Sequence, residues 1–331
     1  MSETSPLILI THALPQPWVA RLSDYGRVVM GPEGTSGFSE ELLTQLPAAS
    51  GLLTLLVDPV DAQILDRAPH LRVISNLAVG VDNIDLAACT SRGIPVGNTP
   101  GLLTDATADL AMTLLLAAAR RLAQAMADAR HGKWKTWSPA GWLGVDLNGA
   151  TLGIVGMGRI GSAVARRATA FGLRILYADS ARHADLEGQL GARRVGLEEL
   201  LQESDLISLH VPLTPETRGL IGADQLKRMK PQAILINTSR GPVVDLAALT
   251  QALREGWIAG AALDVTDPEP LPPDHPLYAL DNCIITPHIG SATHETRRRM
   301  AELACDNLLA GLRGDRLPAC VNPEVYNSRN A

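Results

Sequence analysis

Residues 151–172 read TLGIVGMGRIGSAVARRATAFG. An apolar, strand-like run meets the glycines Gly156, Gly158 and Gly161 and passes into a helix-forming segment rich in Ala, Val and Arg. Glycines at this spacing allow a tight strand-to-helix turn and a close approach of backbone to a diphosphate, whose charge the helix N-terminus stabilises. Alone, G-x-G-x-x-G carries little information. Here Asp179 lies eighteen residues beyond Gly161, at the end of the next strand-like run, RILYAD from Arg174. A carboxylate at that point accepts from ribose hydroxyls. The stretch therefore predicts the first βαβ unit of a dinucleotide-binding domain. NAD(H) is preferred because Asp179 would repel a 2′-phosphate, whereas Arg182 and His183 just beyond keep NADP(H) possible.

Further strand-like runs follow at DLISLHV (from Asp205), AILINT (from Ala233), GAALDV (from Gly260) and NCIITP (from Asn282), giving six strands in this series. A separate series precedes it: LILI (from Leu7), RVVM (from Arg27), GLLTLL (from Gly51), LRVIS (from Leu71) and IPVGN (from Ile94). Continuous apolar strands separated by helix-length segments imply parallel sheets covered on both faces. The fold class is α/β, with two doubly wound domains, one Rossmann and one flavodoxin-like. Residues 100–290 form the NAD(P)-binding domain. Residues 1–99 together with 291–331 form the substrate-binding domain, because the amphipathic helix THETRRRMAELACDNLLAGLRG after the last strand is free to cross back. The first series has no glycine fingerprint, so it should hold substrate.

Composition fits this reading. At 331 residues the chain is long enough for two cores, and 46% hydrophobic with 19% charged residues excludes disorder. Lys and Arg number 29 against 35 Asp and Glu, and aromatics are 3%, so a nucleic-acid partner is not expected. The longest apolar run, Leu110 to Ala119, is too short for a bilayer, and the N-terminal MSETSPLILITHALP has no basic leader region, so cytoplasm is the expected location. Cys89, Cys283, Cys305 and Cys320 form no CxxC pair and read as buried thiols; no metal is expected. A helix over Asp105–Arg121, apolar nearly all round, and Trp134, Trp137 and Trp142 in the adjoining loop make 105–149 the expected dimerisation segment of a homodimer.

Polar groups directly after strands mark the ligand edge of an open α/β sheet. Three such segments stand out: NTSRG (Asn237–Gly241), LDVTDPEP (Leu263–Pro270) and PHIGSAT (Pro287–Thr293). With NLAVGVDNID (from Asn76) and the glycine turn, they resemble the D-isomer-specific 2-hydroxyacid dehydrogenases along essentially the whole chain. NTPGLLTDATADLA (from Asn98), PLTPETRGLI (from Pro212) and the segment from His288 are most similar to the glyoxylate and hydroxypyruvate reductases within that family.

That resemblance implies NAD(P)H-dependent reduction of a small 2-oxo acid to the D-2-hydroxy acid. Such chemistry needs a fixed cation for the carboxylate, a proton donor for the developing alkoxide and a hydride held against the carbonyl carbon. Arg240 would supply the cation, His288 the acid/base and Glu269 the carboxylate that orients His288. Asp264 would accept from the nicotinamide carboxamide, with Thr107 nearby. Arg159, Ile160, Pro212, Thr217, Thr238 and Gly290 complete the implied cofactor contacts. Leu55 and the backbone of Val79 and Gly80 would meet the substrate together with Arg240 and His288. A D-3-phosphoglycerate-type or other D-2-hydroxyacid dehydrogenase remains an alternative, as does a dinucleotide-sensing interaction protein on the same fold.

Overall fold

The computed structural model describes residues 5–327; the first four residues of the N-terminal stretch and the last four of the chain lie outside it. Two compact units result, one running to Leu103 and resuming at Thr293, the other spanning Thr104–Ala292.

In the first unit, β1 (Leu7–Ile10), β2 (Arg27–Met30), β3 (Ala49–Thr54), β4 (Val73–Asn76) and β5 (Val96–Gly97) pair in parallel in the order β2-β1-β3-β4-β5. This is the flavodoxin-like order, reversing direction between β1 and β3. Side chains alternate across the sheet. Leu7 and Leu9 join Leu52, Ile74 and Val96 under α2 (Glu40–Gln45), α3 (Ala62–Asp66) and α4 (Leu86–Ser91), whereas Ile8 and Ile10 join Leu53 and Val73 on the opposite face. That second face is covered by α1 (Gln16–Ser23) and by the final long helix, His294–Arg313, which buries Ala304, Leu308 and Leu312. The return of the last helix to the first sheet thus rests on its apolar stripe.

The second unit holds β6 (Thr151–Val155), β7 (Arg174–Ala178), β8 (Arg193–Arg194), β9 (Leu206–Leu209), β10 (Ile234–Asn237), β11 (Gly260–Leu263) and β12 (Cys283–Ile285). Their order, β12-β11-β10-β9-β6-β7-β8, is the Rossmann arrangement with one more strand in the sheet. Both sheet faces are again buried, with Leu152, Ile154, Ile236 and Ala262 on one side and Leu209, Leu235, Ala261 and Leu263 on the other.

The sequence pattern predicts six strands in this series; the sheet has seven among the described residues. The additional strand, β8, is two exposed arginines on the sheet edge, and charged residues with one paired neighbour leave no apolar pattern to read.

The expected helix over Asp105–Arg121 also needs correction. It is α5 (Thr104–Ala119); Arg121 adopts a left-handed conformation at φ 50° and the chain turns into α6 (Leu122–Arg130). Helix α5 buries Ala108, Ala111, Met112, Leu114 and Leu115 against its own sheet and against α7 (Arg159–Thr169), so much of its apolar surface is covered within the unit. By contrast α6 has no buried residue, and Trp134 and Trp137 beyond it stand 66% and 79% exposed. Trp142 is instead half-buried, its Nε1 donating to Asp128 Oδ2 of α6 at 3.0 Å. No single helix among the described residues is long and apolar enough to cross a membrane.

Candidate active site

The glycine turn forms as its spacing requires. Gly156 has φ 92°, and a Cβ there would lie 2.8 Å from the backbone of His210; one on Gly161 would lie 2.1 Å from the Gly156 carbonyl oxygen. Neither position tolerates a side chain. Gly158 differs: it caps α7, and nothing lies within 4 Å of where a Cβ would stand, so its open side is where an approaching phosphate would come, at the helix N-terminus. Arg159 and Ile160 are the first two residues of that helix.

Asp179 stands one residue past β7. Its Oδ2 accepts from the Met157 amide at 2.7 Å, which ties the glycine turn to the second strand, and its Oδ1 accepts from the Ala181 amide at 2.8 Å. Burial would raise this carboxyl, but the amides of Ala181 and Met157 and the nearby His183 outweigh it and hold it below the usual carboxylate range. Arg182 is turned away from it, gripping Glu187 at 2.7 and 2.9 Å. The backbone oxygens of Asp179 and Ser180 instead accept from Arg194 at 2.8 and 2.9 Å, a residue of the edge strand β8. Sequence reasoning misses Arg194 for the same reason it misses the strand.

Three neighbouring strand ends carry the polar segments. After β10, the Asn237 side-chain amide donates to the Arg240 carbonyl at 3.0 Å and Asn237 Oδ1 accepts from the Ser239 amide at 3.0 Å, so the turn is closed by its own first residue. The Arg240 guanidinium donates to the Ser239 carbonyl at 2.9 Å. Beside it, the Thr238 hydroxyl is buried without a partner among the described residues. An orphaned hydroxyl at the carboxyl end of a Rossmann strand fits a bound dinucleotide, as does the open side of Gly158. Pro212 and Thr217 follow β9, where the Thr217 hydroxyl donates to the Pro212 carbonyl at 2.6 Å.

After β11, the Asp264 carboxylate is 2% exposed and reaches across to the loop after β12, accepting from Thr286 Oγ1 at 2.7 Å and from the amides of Ile289 and Gly290 at 2.8 Å each. Three of about four acceptor sites are thereby filled, leaving room for one more donor. Thr107, buried on α5, donates to the Gly290 carbonyl at 3.3 Å. His288 has φ 51°, unusual for a residue with a side chain, and its Nδ1 is hydrogen-bonded to Glu269 Oε1. Glu269 Oε2 accepts from the Thr266 amide at 3.4 Å. The structure therefore brings Glu269 and His288 together, and Asp264, Thr107 and Gly290 together.

Leu55, Val79 and Gly80 lie on the first unit, at the turns after β3 and β4. Asn83 links these turns by donating to the carbonyls of Leu55 and Asp58 at 3.0 and 2.8 Å while Asn76 donates to Asn83 Oδ1 at 3.1 Å. His210 is half-buried, and desolvation pushes its ring pKa down to about 4; it bonds Ser208 at 2.8 Å through Nε2, and Nδ1 has no partner among the described residues.

The chain is similar to known proteins over nearly its whole length. The profile of the D-isomer specific 2-hydroxyacid dehydrogenase NAD-binding domain matches residues 112–290. A glyoxylate reductase of Korarchaeum cryptofilum is 51% identical over 325 residues, covering 98% of each chain. A crystal structure of a Thermus thermophilus protein superposes with a TM-score of 0.89 at 52% identity, covering 95% of this chain and 99% of that one. An NADPH-dependent glyoxylate/hydroxypyruvate reductase of Sinorhizobium meliloti, solved with NADP and malonate, superposes with a TM-score of 0.85 at 33% identity, covering 97% and 98%. With its two parallel α/β units, its glycine turn and its paired histidine and glutamate, this chain is an enzyme belonging to the D-isomer specific 2-hydroxyacid dehydrogenases.

Proposed function

We propose that the enzyme reduces glyoxylate or hydroxypyruvate to the corresponding 2-hydroxy acid, in the D configuration where the product is chiral. The observation that carries this reading is the Glu269–His288 pair on the strand-end loops that also bear Arg240. A bound nicotinamide would supply the hydride. With Nδ1 of His288 directed at Glu269, Nε2 is the ring nitrogen left to deliver a proton to the forming alkoxide, and Glu269 steadies the ring in that orientation. Arg240 would hold the substrate carboxylate and polarise the carbonyl through its planar fork. On the first unit, Leu55, Val79 and Gly80 are assigned to the substrate. Gly156, Gly158, Arg159, Ile160, Gly161 and Asp179 are assigned to the diphosphate and ribose, and Thr107, Pro212, Thr217, Thr238, Asp264 and Gly290 to the rest of the cofactor. NADH is the favoured reductant, since Asp179 is held ionised and Arg182 is engaged by Glu187.

The same reading makes the molecule a cytoplasmic homodimer. Its support is the exposure of Leu122, Met126, Trp134, Trp137 and Leu143 along one segment, since clustered exposed apolar side chains mark interaction surfaces. Steady-state turnover with glyoxylate, hydroxypyruvate, pyruvate and 3-phosphohydroxypyruvate, each with NADH and with NADPH, tests the assignment. The highest kcat/KM is expected for glyoxylate with NADH; no turnover of any 2-oxo acid would overturn it.

A further inference from the structure

Three successive peptide carbonyls in the turn after β4 are each held from the same loop system. The Ala78 oxygen accepts from the Thr99 amide at 2.9 Å, the Val79 oxygen from Asn98 Nδ2 at 2.7 Å and the Gly80 oxygen from Asn76 Nδ2 at 2.9 Å. These peptide bonds are trans, so each N–H points opposite to the carbonyl of its own plane. Fixing the three carbonyls therefore fixes the directions of the Val79, Gly80 and Val81 amides. None of the three has a hydrogen-bond partner among the described residues. Consecutive free amides with their carbonyls tied back make a preorganised anion receptor.

We propose that Asn98 is a positioning residue for the substrate carboxylate: by holding the Val79 carbonyl it aims the Gly80 amide, with Asn76 doing the same for the Val81 amide. The inference rests on the reading that this turn binds the carboxylate, and it adds the groups that aim the donors. The role is separable from folding. The Asn98 backbone is fixed independently of its side chain, its amide donating to the Ala319 carbonyl at 3.2 Å and its carbonyl accepting from Asn307 Nδ2 at 3.0 Å. Its side-chain amide is spent on the Val79 carbonyl. Asn76 is fully buried and also accepts from the Thr54 hydroxyl at 2.9 Å, so its removal would disturb more than the turn.

Asn98→Ala and Asn98→Asp test this, the second keeping the side-chain shape while setting an acceptor against the Val79 oxygen. In both, KM for glyoxylate and Kd for oxalate, measured calorimetrically without turnover, should rise about tenfold or more, more in the Asp variant. The value of kcat at saturation, KM for NADH and the thermal midpoint should stay near wild type, a pattern that general loosening of the fold would not give. Unchanged glyoxylate KM and oxalate Kd in a folded variant overturn the inference and leave the reductase reading standing. A fall in kcat with unchanged KM also overturns it. If the wild type turns over no 2-oxo acid, the oxalate titrations still decide the role of Asn98; if it does not bind oxalate either, the carboxylate site and the inference fall together.

Discussion

Asp264 brackets His288 from both sides. Its carbonyl accepts from the His288 amide at 3.0 Å, while its carboxylate accepts from Thr286 before the histidine and from Ile289 and Gly290 after it. His288 at φ 51° is a conformation that costs on the order of 1–3 kcal/mol and persists only where its surroundings impose it. Asp264 is that imposition, a task beyond the cofactor contact read from the sequence.

Asp264→Asn is therefore expected to reduce kcat as well as cofactor affinity. One retained oxygen cannot satisfy all three donors, and a new N–H would face an amide. A loss of about 1–3 kcal/mol in unfolding free energy should accompany it. Urea unfolding with steady-state kinetics checks both; a variant that changes only the KM for cofactor would show that the loop stands without Asp264.

With Arg240 proposed to hold the substrate carboxylate, replacing it by Ala should lower kcat/KM about a hundredfold or more, with little recovery in Arg240→Lys. Near-normal turnover by folded Arg240→Ala protein would remove the residue from the site.

For Glu269→Gln, the ring of His288 loses a charged partner but keeps a hydrogen-bonding one. An expected fall of about tenfold to a hundredfold in reductive kcat/KM, with KM for cofactor unchanged, would be read in steady state. Equal rates in variant and wild type would show that Glu269 does not serve the histidine.

Asp179 is the proposed determinant of cofactor choice. Because it also holds the Met157 amide, Asp179→Ala should weaken both nucleotides, so the informative quantity is the ratio of kcat/KM values. That ratio should move toward NADPH by roughly tenfold, equivalent to about 1.4 kcal/mol of relieved repulsion. No movement would place the discrimination elsewhere, with Arg194 the first residue to replace.

His210 gives a pH dependence of stability. Its folded pKa is lowered to about 4 from an ordinary 6.5, so between those values the unfolded chain binds a proton that the folded chain does not. Stability from this group is complete above about 6.5 and declines as pH falls, by about 3 kcal/mol once pH 4 is reached. In His210→Gln the decline should be smaller by that amount. Unfolding free energies at pH 7 and pH 4.5 for both proteins measure it; parallel pH curves would mean that the ring is hydrated.

Much of this protein is legible without coordinates. Runs such as LILI and TLGIV are apolar on both faces, and only a sheet covered twice can bury them; hence two parallel α/β units follow from local pattern. The glycines are legible because a backbone turn with no room for a Cβ at Gly161 leaves one residue type possible. Arg240, Glu269 and His288 stand out because each follows a strand-like run within a segment resembling a known family.

What tertiary structure alone decided are relationships between segments distant in sequence. The two exposed arginines of β8 become a strand only by pairing with Leu176 and Tyr177 on β7, and only then does Arg194 reach the Asp179 carbonyl. At the end of α5, the Ala119 carbonyl accepts from the amide of Val145, twenty-six residues on, at 2.8 Å. Asp264 reads in sequence as a strand-end acid; that it clamps the loop of His288, twenty-four residues on, depends on β11 and β12 lying side by side. Asn98 and Asn76 look like ordinary turn residues until the fold sets them against Val79 and Gly80. Strand pattern and turn chemistry are local and survive in one dimension, whereas a hydrogen bond between loops exists only once long-range packing has fixed both partners.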